Sequence, residues 1–182
     1  MQYYLLRLWE GNDLPFLNTD IKDKTGRYLT SSKIYNESYV YFEDVEVCYL
    51  SVSKIGEQKD RVYASTNFVL KKSVSSILKK MNLADGLKEL PILITDKNKK
   101  TLDGVCLFSS ISHKIVDSKN KVFEGKVSRL VKKWPLINSS IPENVDIIED
   151  SEELAWFVSE KFKIEVESMG LTGFVFGEIY FV

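Results

Sequence analysis

The sequence holds a single histidine, His113, and only two cysteines, Cys48 and Cys106. Zinc sites draw three or four His, Cys or carboxylate ligands at fixed spacing. No HExxH or CxxC string occurs, so neither a metal site nor a cofactor is expected. Both cysteines sit in apolar runs and read as small reduced core residues, not as a secreted disulfide framework. The nine glycines are scattered and form neither GxGxxG nor GxxxxGK[ST], the strings whose backbone N–H groups cradle phosphates. No apolar run approaches the ~20 residues that span a bilayer. The opening Met1 to Glu10 lacks the basic start, apolar stretch and small-residue cleavage site of a secretory leader, so the chain is expected in the cytoplasm. An excess of one charge is missing too. With 25 basic and 26 acidic residues the net charge is −1, whereas nucleic-acid binders draw most of their affinity from a basic excess.

What is present is core material. Of 182 residues, 44% are apolar and 12% aromatic, enough for one domain without staples. Two lobes are conceivable, a β-rich part over about 1–60 and an α+β part over 61–182. Residues 1–10 read as a strand buried on both faces, ended by Gly11-Asn12-Asp13, and 12–35 as irregular chain with anchors such as Ile21 and Tyr28. Within Ser38 to Leu50, Val45, Val47 and Tyr49 alternate with Asp44, Glu46 and Cys48, the period of a strand with one wet face. Val74, Ile77, Leu78 and Met81 mark a helical stripe, followed by a turn at Asp85-Gly86 and a strand around Pro91-Ile92-Leu93-Ile94. Phe162, Val166 and Met169 repeat that layout, followed by Gly170 to Gly173 and a closing strand. Matching Phe68-Val69 to Phe157-Val158 puts Met 13 residues on in the first copy and 12 in the second. Ser159 suits an N-cap, Glu160 the first turn and Gly170 the residue past the C-terminus, although a start near Ser151 also keeps helical spacing. Leu102 to Phe108 reads as a further strand. The expected fold is α+β, with mixed or antiparallel sheets, a few short helices and two similar helix–turn–strand units.

No catalytic residues are expected. Cys106, Ser110, His113 and Asp117 are neighbours in sequence, but triads are defined by geometry, and the stretch reads as strand and turn. Adjacent acids such as Glu149-Asp150 are ordinarily solvated charge, not a glycosidase dyad. The charge pattern says more. Glu143 to Glu153 holds six carboxylates and no basic residue, while Lys119, Lys121, Lys126, Arg129, Lys132 and Lys133 form a basic stretch. Both read as solvated faces, or else Glu149, Asp150, Glu152 and Glu153 form an acidic patch that steers a basic partner.

The segment Phe157-Val158-Ser159-Glu160-Lys161-Phe162-Lys163, followed by Met169-Gly170-Leu171-Thr172-Gly173-Phe174, resembles the end of a large bacterial family of immunity proteins. These accompany polymorphic toxins, including those of contact-dependent inhibition. The stretch from about Val62 to Asp117 is similar more loosely. The chain departs from the family at Gly177-Glu178, where a proline is common. The resemblance implies an α+β fold and a non-enzymatic protein whose partner is a cognate toxin domain, not nucleic acid or a membrane. It makes Phe157, Ser159, Glu160, Gly170, Gly173 and Phe174 structural signature residues and leaves the toxin and the oligomeric state open. The alternatives are another non-catalytic interaction or adaptor domain, or a small enzyme built from scattered carboxylates, Tyr and Lys.

Overall fold

Short β-rich segments punctuated by turns build a mixed α+β structure, and two helices interrupt them where apolar spacing switches from two to four. The computed structural model describes residues 2–7, 21–25, 28–29, 48–52, 54–64, 67–109, 113–123, 131–150 and 152–182. The strands are β1 (Tyr3–Arg7), β2 (Ile21–Lys22), β3 (Tyr28–Leu29), β4 (Cys48–Val52), β5 (Arg61–Ala64), β6 (Asn67–Lys71), β7 (Leu87–Asp96), β8 (Thr101–Ser109), β9 (Val122–Phe123), β10 (Val131–Leu136), β11 (Ile147–Asp150), β12 (Ala155–Ser159), β13 (Val175–Gly177) and β14 (Ile179–Phe181). The helices are α1 (Lys72–Lys80) and α2 (Glu160–Ser168). A seven-stranded sheet runs β3-β2-β4-β7-β8-β6-β5, a four-stranded sheet β11-β12-β1-β13, and a small sheet β14-β10-β9. Neighbours are antiparallel except β4–β7 and β10–β14.

The described strands of the first 60 residues are built into these sheets alongside the later ones. β1 enters the four-stranded sheet, and β2 to β4 extend the seven-stranded one. Ile21 and Tyr28 therefore belong to paired strands, a correction to the irregular reading of that stretch. The turn at Gly11-Asn12-Asp13 and the alternation over Val45 to Val47 lie outside the described residues. In the part of that segment that is described, the alternation is reversed. Cys48, Leu50 and Val52 face inward and Tyr49 is 42% exposed, because the apolar series continues on Leu50 and Val52. Pro91 stands in β7 beside the point where β4 begins to pair, at Cys48 opposite Ile92, so its missing N–H falls outside that parallel ladder.

The two helical units are copies with a fixed spacing of 88 residues. β6 and β12 begin at 67 and 155, the helices run 72–80 and 160–168, and the next strands begin at 87 and 175. Each helix closes in the same way. Leu83 N–H reaches Leu78 O and Leu171 N–H reaches Val166 O, around a left-handed residue, Asn82 (φ 55°) or Gly170 (φ 64°). Each unit opens with a β-hairpin, β5–β6 or β11–β12. At its base Lys71 N–H donates to Asp60 O, and Ser159 N–H donates to Asp146 O. The equivalent of Phe68 is thus Trp156, one residue away from the match suggested by the identical Phe-Val letters. These two rings meet edge to face, 5.2 Å between centroids, in a core shared by both helices and both large sheets: Phe68, Leu70, Val74 and Leu78 from one unit, Trp156, Val158, Phe162 and Val166 from the other. Ile77 is 37% exposed, so the buried stripe of α1 is Val74, Ser75 and Leu78.

The signature turn after α2 locks onto the first unit. Arg61 N–H donates to Thr172 O (3.0 Å), and Gly173 (φ +85°) comes so close that a Cβ there would lie 2.5 Å from Arg61 O. Replacement Gly173→Ala is expected to cost about 3 kcal/mol, combining steric overlap with a left-handed backbone. Gly86→Ala, with φ +79° and open space around it, should cost only about 1 kcal/mol. Urea titration with unchanged m-values checks both.

Candidate functional site

Each acid of the suggested patch can be followed to its partner. β11 carries Glu149 and Asp150 on an edge strand, yet both are buried, at 2% and 0% exposure. Asp150 closes the hairpin and clamps a passing segment. Its Oδ1 accepts from the N–H groups of Glu152 (3.1 Å) and Glu153 (2.9 Å), and its Oδ2 from those of Ile115 (2.8 Å) and Val116 (2.9 Å). Glu152 is exposed and pairs with Lys114 at 2.8 Å. Glu153 is part-buried and accepts from Ser118 Oγ (2.6 Å) and Lys121 Nζ, and these bonds hold its carboxyl below the usual range despite a burial effect that pushes it up. Three acids of the stretch therefore find basic partners within their own chain, Glu152 in Lys114, Glu153 in Lys121 and Asp146 in Lys161. Glu149 and Asp150 are corrected from patch members to buried groups, and Glu152 is the exposed acid of the four. Of the basic stretch, Lys126 and Arg129 lie outside the described residues.

The signature residues are brought together around α2. Ser159 is fully buried and accepts from Phe162 N–H through its Oγ (3.1 Å), the expected N-cap, while donating to Asp146. Glu160 occupies the first turn and Ala155–Ser159 form β12, so the helix takes the later of the two starts. Phe157 packs edge to face on Trp134 (5.9 Å), and Phe174 lies 6.3 Å from Phe68 and 5.9 Å from Phe162. These positions hold the fold together.

Sequence inspection overlooked Asp60 and Asp146. Asp60 Oδ2 accepts from Thr172 N–H and Oγ1 (both 2.9 Å), its own N–H donates to Thr172 Oγ1, and its Oδ1 receives Lys71 Nζ at 3.1 Å. Burial pushes its carboxyl up, but the Thr172 and Lys71 bonds outweigh this and hold it below the ordinary value. Each acid sits next to the first residue of its hairpin, a signal visible only once the two units are aligned.

Among the described residues, each candidate chemical group is engaged in its own surroundings. Cys48 and Cys106 are free and buried; burial pushes Cys48 up to about 12 and Cys106 higher still, so neither is a ready nucleophile. His113 forms a β-bridge with Asp150, and burial lowers its pKa against the opposing pull of that acid. Asp117 turns its carboxylate onto Lys119 N–H and Asn120 Nδ2. Ser110 lies outside the described residues.

The surface offers one further feature. A shallow hollow of about 430 Å³ is lined by Gln2, Tyr3, Tyr4, Glu178, Ile179 and Phe181. Beside it the small sheet exposes Phe181 (42%) and, on β9, Val122 and Phe123 (53%). No protein-family model matches the chain, and no curated protein matches it either. Among the described residues no helix is long and apolar enough to cross a membrane.

Asp150→Asn should lower stability by about 2 kcal/mol, because an amide facing four backbone donors presents N–H to some of them. Glu152→Gln should stay within about 0.5 kcal/mol, as exposed pairs do; urea titrations of the two variants side by side test the contrast. A carboxyl whose folded pKa is depressed stabilises the fold above its unfolded pKa of about 3.9, and that stability is lost as pH falls through the folded value. Stability should therefore drop below about pH 4, and Asp60→Asn should flatten that acid limb while lowering stability at neutral pH.

Proposed function

We propose that this protein is an immunity protein, a cytoplasmic, non-catalytic binder that neutralises a cognate bacterial toxin domain by occupying its surface. The observation that carries the reading is that the small sheet leaves Val122, Phe123 and Phe181 exposed, and that Phe181 lines the hollow with Tyr3, Tyr4 and Ile179. Solvent-facing aromatics beside a concavity are the usual anchors of a protein interface, within about 800 Å² on each partner. The signature from Phe157 to Phe174 supports the family assignment. The inward-turned acids and buried thiols suit a protein that acts through its exterior. Glu152 and its neighbours at the other end of the segment 114–121 add polar rim.

Co-expression with a toxin domain encoded beside this protein should restore growth and give a complex on size exclusion. Phe123→Asp combined with Phe181→Asp should weaken that complex by roughly 30-fold or more, the loss of two anchor residues, while leaving the circular dichroism spectrum unchanged. No rescue and no complex with the unaltered protein would remove the reading.

A further inference from the structure

The two copies differ in where their inner strand comes from. In the first, β6 pairs with β8, and β8 with β7, so the sheet order is β5-β6-β8-β7; β8 follows β7 directly through the turn at 97–100. Asp96 pins this turn, its Oδ1 accepting from the N–H groups of Asn98 (2.9 Å) and Lys100 (3.0 Å). In the second, the order is β11-β12-β1-β13. The place of β8 is taken by β1, antiparallel to both neighbours as β8 is. The register against the hairpin strand agrees, while that against the strand after the helix is one residue out, Leu107 facing Glu89 but Leu6 facing Phe176. Lys71 faces Gly104 and Phe68 faces Leu107; the equivalent Ser159 faces Tyr3 and Trp156 faces Leu6. Side-chain roles agree as well, since Val105 and Leu107 on β8 and Tyr4 and Leu6 on β1 all pack in the shared core.

We infer that the protein is an internal dimer of one five-element unit, β-hairpin, helix, strand and inner strand, in which the second copy is circularly permuted and β1 is its displaced, separable inner strand. The first copy spans 61–109; the second is 147–177 completed by 3–7. Loop closure penalties grow with the logarithm of the connection length, and 13 residues separate β1 from β2 where four separate β7 from β8, so β1 is held on the order of tenfold less firmly by its tether. β1 is thus the less firmly held of the two equivalent inner strands.

Hydrogen exchange on the intact protein should show β1 amides exchanging roughly tenfold or more faster than those of β8. The residues near the two ends line one hollow, Gln2 and Phe181 among them, which allows a permutant that keeps every residue. Joining Val182 to Met1 through a short Gly-Ser linker and opening at Gly11-Asn12 places β1 after β13 and β14, so that the inner strand follows the helix and strand of its unit as β8 does in the first copy. This variant should fold cooperatively, with β1 protection rising toward that of β8. The same joint opened between Lys97 and Asn98 should do the reverse, lowering β8 to the level of β1 in the parent. Equal protection of β1 and β8 in the intact protein overturns the inference, as does a folded pair of permutants in which neither strand changes. Should neither permutant fold, the comparison within the intact protein still decides.

Discussion

Two sheets and two helices must close on a single core, and the edge-to-face pair Phe68–Trp156 stands at its centre. Such pairs add about 1 kcal/mol beyond the area they bury, but their larger effect here is geometric. Because the rings occupy equivalent positions in the two units, the strands that carry them are enclosed on both faces. All five residues of β12 are buried, as are Phe68, Val69 and Leu70 of β6. Strands enclosed in this way read as continuous apolar runs and not as alternations, which is why Trp156-Phe157-Val158 and Phe68-Val69-Leu70 look alike. Polar groups are pushed to the ends of these strands, where Asp60, Asp146 and Asp150 meet backbone donors and short side chains.

What could be read in the sequence follows from how local its cause is. The end of α2 was legible, since Ser159, Glu160 and Gly170 act within one turn of the helix. The α+β class and the strands around Ile92 and Leu102 to Phe108 were legible from composition and period. Pairing was not: nothing in Tyr3 to Arg7 announces that it lies between two strands from the far end of the chain. Nor was the register of the repeat, because identical letters invite matching Phe68 to Phe157, whereas the helix boundaries match it to Trp156. Ile77 fits a helical stripe by spacing, yet the core touches only Val74, Ser75 and Leu78 in α1.

The acids show the same limit from the side of charge. A run with six carboxylates looks like an exposed field, and composition alone does not tell whether an oxygen is aimed at water or at a backbone N–H. Asp150 is aimed at four. The equivalent corners at Asp60 and Asp146 show how sequence can change beneath a constant geometry. Each accepts the same backbone bond from the last residue of the following strand. Each carboxylate then takes one lysine ammonium and one hydroxyl, Lys71 and Thr172 at Asp60, Lys161 and Ser159 at Asp146. The kinds of donor at that corner are kept, while the chain positions that supply them differ.

Duplication also separates scaffold from specificity. Whatever both units share, hairpin, helix, left-handed turn and inner strand, is explained by the need to close the common core. The elements with no counterpart are β2 to β4 on one flank and, on the other, the segment 113–123 with β9, β10 and β14. The first group has an internal role, extending the seven-stranded sheet beyond β7 and adding Ile21, Cys48, Leu50 and Val52 to its second core cluster. The second covers the outer face of the four-stranded sheet with Ile115, Val116 and Leu136, and still leaves Val122, Phe123 and Phe181 facing solvent. Apolar side chains that neither the repeat nor the core accounts for are the part of the surface where recognition of a partner would be selected, and one of them, Phe181, shares a hollow with Tyr3 and Tyr4 of β1, the strand that the second unit draws from elsewhere in the chain.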